Sequence, residues 1–145
     1  MATLKADKAK DGAQPRSVQA GTTSVKFTYS VTASLSAGDV IQAVKVPHGA
    51  IIDSLVFARS GAGQFTANVG DGGSANRFDT SATLVANTVI TADNIGGIGY
   101  QYNVSDDAAD QFDTIDFTVT TVTTATAAGV LSGIVQYHCD ESDPA

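Results

Sequence analysis

The strongest constraint on the fold of this 145-residue chain is an alternation of apolar and polar residues with a period of two. The pattern first appears in residues 24–32 and returns several times towards the other end. Successive side chains of a β-strand point to opposite faces, so each such segment is predicted to be a strand with one buried face. The buried positions predicted in this way are Val25, Phe27, Tyr29 and Val31, then Phe65, Ala67 and Val69, then Ile115, Phe117 and Val119, and finally Leu131, Gly133, Val135 and Tyr137.

Turn-forming residues separate the predicted strands. Gly, Pro, Asp and Ser are concentrated at residues 36–39, 47–50, 60–63 and 70–76, where they preset or tolerate the backbone angles of turns. Further strands are predicted at residues 40–46, 51–58, 83–90 and 94–103. About eight strands with regularly spaced turns predict an all-β antiparallel sandwich, with the jelly roll as the expected topology.

The composition argues against helices. The chain has 14 Asp but one Glu, together with 17 Thr and 14 Gly, and these residues displace the straight-chain helix formers. No segment has the i, i+3, i+4, i+7 apolar stripe of an amphipathic helix over three turns. Parallel βαβ units are therefore not expected.

Charge divides the chain into a basic beginning and an acidic remainder. The basic residues Lys5, Lys8, Lys10 and Arg16 lie in a segment without clear alternation, whereas residues 79–145 contain no Lys or Arg. We predict an extended arm at 1–22, a β-sandwich domain at 23–139 and an acidic tail at 140–145. The sequence also allows one helical turn near residues 5–10. A basic arm suits an acidic partner surface, although the same charges also solubilise a terminus.

Charge and hydropathy disfavour two kinds of partner. With a pI near 4.4, the body has too few Lys and Arg to contact phosphates, so nucleic-acid binding is not expected. No apolar run approaches the roughly 20 residues of a spanning helix, and no secretory apolar stretch follows the first ten residues. We therefore expect no membrane association. The lone Cys139 cannot form an internal disulfide, so an oxidising compartment is not required.

Catalytic groups are few and poorly spaced. Neither His48 nor His138 lies near a Gly-x-Ser-x-Gly elbow. If the last strand continues through them, His138 and Cys139 point to opposite faces. A structural zinc site needs four N or S ligands and the chain offers three. The sequence predicts no enzyme activity, no cofactor and no metal site.

One acidic run leaves an alternative open. Asp106, Asp107, Asp110 and Asp113 are clustered, and carboxylate oxygens are the ligands that Ca²⁺ prefers. They lack the spacing of an EF-hand loop. A solvated acidic loop accounts for the same residues without a metal.

Two segments in the middle of the chain resemble small structural proteins of tailed bacteriophages. In VKVPHGAIID at residues 44–53, a strand ends in a Pro-x-Gly turn. In ANVGDGGSANRF at residues 67–78, a strand enters Gly-Asp and a small-residue loop closed by Arg-Phe. The ending GIVQY at residues 133–137 is also similar to the last strand of those proteins.

This resemblance implies a β-sandwich or jelly-roll protein of the virion, of the head decoration or cement type. Such a protein is non-enzymatic, is made in the host cytoplasm, and binds the outer surface of the major capsid protein shell and stabilises it, often as a homotrimer. Arm residues Lys5, Lys8, Lys10 and Arg16 are then expected to contact a neighbouring subunit or the shell. The alternative is a carbohydrate- or receptor-binding jelly-roll module of a tail fibre or surface protein, which would present an exposed aromatic platform.

Overall fold

A computed structural model of the chain describes residues 2–9, 22–31, 35–61, 63–92, 97–102, 112–122 and 129–139. These residues form nine β-strands. In the described part of the chain, no helix is long and apolar enough to cross a membrane. The strands are β1 (Thr3–Lys8), β2 (Thr23–Val31), β3 (Val40–Pro47), β4 (Ala50–Ser60), β5 (Gln64–Gly70), β6 (Asp79–Val85), β7 (Val89–Thr91), β8 (Phe112–Val122) and β9 (Gly129–Cys139).

The strands lie in two sheets. The five-stranded sheet has the order β1-β3-β8-β5-β6, and the four-stranded sheet has the order β2-β9-β4-β7. The pairs β2/β9, β3/β8, β4/β7 and β5/β6 are all antiparallel, which is the pairing of one long hairpin rolled into two sheets. The predicted all-β jelly-roll sandwich is confirmed, and β1 is added to its eight strands.

Strand β1 corrects the prediction for the start of the chain. Residues 3–8 of the predicted arm form neither a free segment nor a helical turn, because they pair in parallel with β3 at the edge of the five-stranded sheet. Ala6 is buried and Leu4 packs against the core. Small Ala side chains among charged ones gave too weak an alternation to predict this strand. Residues 10–21 and 140–145 lie outside the described part.

The start of β1 is held by one carboxylate. Asp39 Oδ1 accepts a hydrogen bond from the Ala2 N–H at 3.1 Å, and Asp39 Oδ2 accepts one from the Ser36 N–H at 2.9 Å. The Val40 N–H also donates to the Ala2 carbonyl at 2.9 Å. These backbone hydrogen bonds lower the pKa of Asp39. The beginning of the chain is thereby joined to the turn that precedes β3.

The core lies between the two sheets and includes the predicted inward positions. The Phe117 ring of β8 packs against the rings of Phe27 and Phe57, which both belong to the four-stranded sheet. The distances between ring centroids are 5.8 Å to Phe27 and 5.0 Å to Phe57. Gly133 lies beneath Phe27, where a Cβ would come within 2.6 Å of the ring. Tyr29 and Gly133 are the predicted inward residues that are only half-buried. The alternation therefore identified the core-facing positions of β2, β5, β8 and β9.

Two predicted strands are wrong in their extent. The apolar run at residues 83–90 is divided between β6 and β7, which lie in different sheets. Asn87 has a φ of 64° and lies in the turn between them, so the backbone turns where apolarity alone predicts continuation. In the predicted strand at 94–103, residues 97–99 form a turn, and Gln101 makes an isolated bridge to Ile51.

Candidate functional site

A buried carboxylate organises the Gly-rich loop after β5. Asp71 follows β5 directly and is 5% exposed. Its Oδ1 accepts hydrogen bonds from the Gly73 N–H at 2.9 Å and the Ser74 N–H at 2.8 Å. The Asp71 N–H donates to the Ser74 carbonyl at 2.9 Å. One side chain therefore closes the loop on itself, as Asp does in turns that bond their own backbone.

Arg77 and Tyr102 bind the second oxygen of Asp71. Arg77 Nε donates to Asp71 Oδ2 at 2.5 Å, and the Tyr102 hydroxyl donates to the same oxygen at 2.9 Å. The Arg77 guanidinium also lies 3.6 Å from the centroid of the Tyr100 ring. The hydrogen bond to Asp71 raises the pKa of Arg77, and burial raises the pKa of Tyr102. Arg77 stays charged and Tyr102 stays protonated. Their hydrogen bonds to Asp71 therefore hold the Gly-rich loop in place.

Two further acids, Asp113 and Asp116, lie next to the contacts of Asp71 with Arg77 and Tyr102. Asp113 Oδ1 accepts a hydrogen bond from the Thr114 N–H at 2.7 Å and a longer one from the Gly72 N–H at 3.4 Å. The Thr114 hydroxyl donates to Asp116 at 2.7 Å. Burial penalises the charged carboxylates and raises the pKa of both acids, that of Asp116 to about 7. The Asp71 cluster comprises Asp71, Arg77, Tyr102, Asp113, Thr114 and Asp116.

The predicted calcium alternative lies largely outside the described residues. Asp113 is a half-buried residue of β8 in the Asp71 cluster, whereas Asp106, Asp107 and Asp110 are not in the described part of the chain. Among the described residues, no group of three or more His, Cys, Asp or Glu side chains converges as metal ligands.

His138 and Cys139 diverge as predicted. Strand β9 continues through both residues. His138 points outwards, where its Nδ1 lies 2.8 Å from Asp53 Oδ1, and Cys139 packs against the core. The hydroxyl next to this pair, Ser54, donates to Gln136 at 2.8 Å. The two side chains thus form a polar contact at one end of the four-stranded sheet.

The structure places two of the four predicted arm residues. Lys5 is half-buried in β1 opposite Gln42, and the backbone of Lys8 pairs with Val44. Lys10 and Arg16 lie outside the described residues. Lys5 lines a cleft of about 350 Å³ on the five-stranded sheet. The other residues lining it are Ala9, Gln42, Lys45, Phe112, Asp113 and Thr114.

The outward side of the four-stranded sheet has a different character. Three large apolar side chains are exposed among the described residues: Val89 at 68%, Val130 at 38% and Ile134 at 46%. Their strand registers place all three on this side, because each is offset by one position from core-facing residues. We call the outward side of β2, β9, β4 and β7 the open face. No alternation rule distinguishes such a face from an ordinary solvated one.

Aromatic side chains do not form an exposed platform. The chain has six Phe, four Tyr and no Trp, and all ten rings are buried or half-buried. Tyr102 and Tyr137 belong to the core, whereas Tyr29 and Tyr100 pack against its edge. The feature expected of a carbohydrate-binding module is therefore not displayed by these side chains.

Some of these features are visible in the sequence and others are not. The Gly-Asp loop closed by Arg-Phe is the segment built around Asp71 and Arg77, with Phe78 fully buried. Because Ile115 and Phe117 are predicted to face inwards, the alternation places Asp116 outwards, yet it is 8% exposed. Its partner across the sheet is Gln42, which is distant in sequence. The local sequence pattern does not predict that residues from other strands will bury an outward-facing side chain such as that of Asp116.

Comparison with solved structures identifies the fold in phage capsids. A chain of the capsid of Ralstonia phage GP4 has a TM-score of 0.73 and 16% identity, and the match covers 97% of this chain and 99% of that one. A chain of the cyanophage Pam1 capsid asymmetric unit has a TM-score of 0.65 and 20% identity, with 91% and 99% covered. No family model matches the chain, and no curated protein matches it. The predicted resemblance to phage virion structural proteins is confirmed at the level of the fold.

Proposed function

We propose that this chain is a non-enzymatic structural protein of a tailed-phage virion that binds the outer surface of the major capsid protein shell and stabilises it. The observation that supports this proposal best is the similarity, along nearly the whole of both chains, to chains in two phage capsids. The proposed assembly state is a homotrimer.

The chemistry of the described surface agrees with a role in assembly. The Asp71 cluster satisfies its own polar groups, and the exposed apolar side chains lie together on the open face. Much of that face is Ser, Thr, Ala and Val, which lose little side-chain entropy when a contact orders them. Such a surface suits a permanent contact with protein better than turnover of a small substrate.

The direct test is co-sedimentation of the purified protein with expanded capsids that lack it. The expected result is saturable binding and a higher melting temperature for the decorated capsids. The arm is tested by replacing Lys5, Lys8, Lys10 and Arg16 with Gln, which retains β1. A deletion of residues 1–20 would remove a strand of the sheet together with the charges.

The matched control replaces four exposed threonines of the five-stranded sheet, at positions 80, 83, 120 and 121, with Glu. This variant has the same change in net charge as the arm variant. We expect the arm variant to bind capsids at least about tenfold more weakly at low salt, and the control to bind like the wild type. Equal binding by both variants would reject the arm, and retention on glycans without capsid binding would reject the proposed function.

A further inference from the structure

We propose that the open face is the surface through which copies of this chain contact one another. The proposal rests on the assembly in copies proposed above and names the surface involved. Among the described residues, every exposed large apolar side chain lies on this face. The apolar exposure is therefore concentrated on one of the two sheets.

Two of the three exposed apolar residues, Ile134 and Val89, are linked across the face by Val56 and Ala58, whereas Val130 lies between Ser30 and Ser60 in the strand registers. Ile134 of β9 lies between Lys26 of β2 and Val56 of β4 in the strand registers. Val89 of β7 pairs with Ala58 of β4, next to Val56 on the same side. This region runs over three neighbouring strands. A contiguous apolar region on a sheet is typical of a contact with another protein.

The charge of the face indicates what kind of protein covers it. The whole chain has a net charge of −7. In the described part of the chain, the titratable groups on this face are Lys26 and the Asp53–His138 pair at one end, and Asp7 of β1 lies at its edge, where it accepts a hydrogen bond from the Thr28 N–H. A basic partner would be attracted to the acidic parts of the chain and not to the open face, where few charges lie. A second copy, which has the same net charge, is least repelled at this face.

The size of the face is compatible with self-association. With strands about 4.8 Å apart and a rise of about 3.4 Å per residue, the four strands cover about 550 Å². Weak specific interfaces bury somewhat under about 600 Å² on each partner. The contact is therefore expected to dissociate on dilution and to be complete at the high local concentration of an assembled shell. In a ring of three the open face would contact a different surface of the next copy, and in a pair two open faces would meet.

The test measures oligomeric mass by analytical ultracentrifugation from about 1 µM to about 1 mM. Ile134→Lys places a charge at the centre of the apolar region, and Val89→Lys places one near its edge. Thr83→Lys is the matched control, because Thr83 is an exposed strand residue of the other sheet. We expect the wild type and Thr83→Lys to associate as concentration rises. Both open-face variants are expected to associate at least about tenfold more weakly.

Circular dichroism shows which variants remain folded. Ile134→Lys decides the test if it folds, and Val89→Lys decides it otherwise. A folded deciding variant that associates like the wild type would overturn the proposal, as would a wild type that is monomeric at the highest concentration. Capsid co-sedimentation separates this inference from the proposed function. A monomer that binds capsids contradicts only the inference, whereas an open-face oligomer that ignores capsids contradicts only the capsid role.

Discussion

The Asp71 cluster and the open face use polar and apolar groups in opposite ways. In the cluster, charged side chains are buried and bind one another or the backbone. On the open face, apolar side chains are exposed and the neighbouring polar groups are small. The cluster completes its interactions within one chain, whereas the open face leaves apolar area exposed. The difference teaches that stability and association are located in separate parts of this fold.

Removal of the central carboxylate is expected to have the largest effect. Asp71→Ala leaves Arg77 without its ion partner and deprives the Tyr102 hydroxyl and two loop N–H groups of an acceptor. Breaking a buried pair on one side costs about 3–5 kcal/mol, so we expect a loss of about 4 kcal/mol in the free energy of unfolding. Urea denaturation measures this loss. A cost below about 1 kcal/mol would show that the Asp71 cluster does not stabilise the fold.

Asp116 is expected to make the stability of the Asp71 cluster depend on pH. Its folded pKa of about 7 lies above the ordinary value of 3.8, so the folded state binds the proton more tightly than the unfolded chain. The stability linked to this proton is complete below about pH 4 and is lost as the pH rises towards 7. Asp116→Asn retains the acceptor for Thr114 and abolishes this slope. We expect the variant to be more stable than the wild type at pH 8 by about 4 kcal/mol.

The measurement is thermal or urea unfolding of both proteins at several pH values between 4 and 8. Asp7→Asn is the control, since Asp7 is an exposed acid of β1 and the variant keeps the side-chain oxygen. The control should keep the falling stability of the wild type over this range. Parallel curves for the wild type and Asp116→Asn would refute the raised pKa.

The two sides of β9 allow a comparison within one strand. Gly133→Ala places a Cβ within 2.6 Å of the Phe27 ring and of the Val56 carbonyl, so the sheets must move apart locally. Overpacking of this kind costs about 2 kcal/mol. Ser132→Ala, one residue away on the outward side, is expected to change stability by less than about 0.5 kcal/mol. Chemical denaturation of the two variants checks both values, and similar costs would contradict the inward placement of residue 133.

Removal of apolar area from the open face is expected to have the smallest effect on the stability of the isolated chain. Ile134 is 46% exposed, so Ile134→Ser should alter the free energy of unfolding by less than about 0.5 kcal/mol at low concentration. A loss above about 2 kcal/mol, measured in dilute solution, would show that this residue belongs to the core.

The sequence predicted the fold more completely than it predicted the sites. Strict alternation identified the inward residues of β2, β5, β8 and β9, because burial on one face imposes a period of two. It missed β1, whose inward residues are Leu4 and Ala6, since Ala adds little apolar contrast. It also joined β6 to β7, because apolarity does not show the turn at Asn87.

The polar sites depend on contacts that sequence spacing does not contain. Asp71 and Tyr102 are 31 positions apart, and Asp53 and His138 are 85 positions apart. The Gly-Asp motif and its closing Arg-Phe pointed to the correct loop, while Asp116 gave no signal. Whether an outward-facing side chain is buried depends on how the sheets and loops pack against each other, which local spacing does not show.

The carboxylate of Asp39 has a consequence for how this molecule behaves in acid. It binds the N–H groups of both Ala2 and Ser36, so one protonation loosens the first strand and the turn before β3 together. Because the folded pKa of Asp39 is depressed, this contribution is present above the ordinary carboxyl pKa and is lost as the pH falls through the lower folded value. Detachment of β1 uncovers the backbone of β3, and an uncovered strand edge pairs readily with other chains. One carboxylate therefore couples the attachment of the first strand to the order of the turn before β3, and strong acid weakens both.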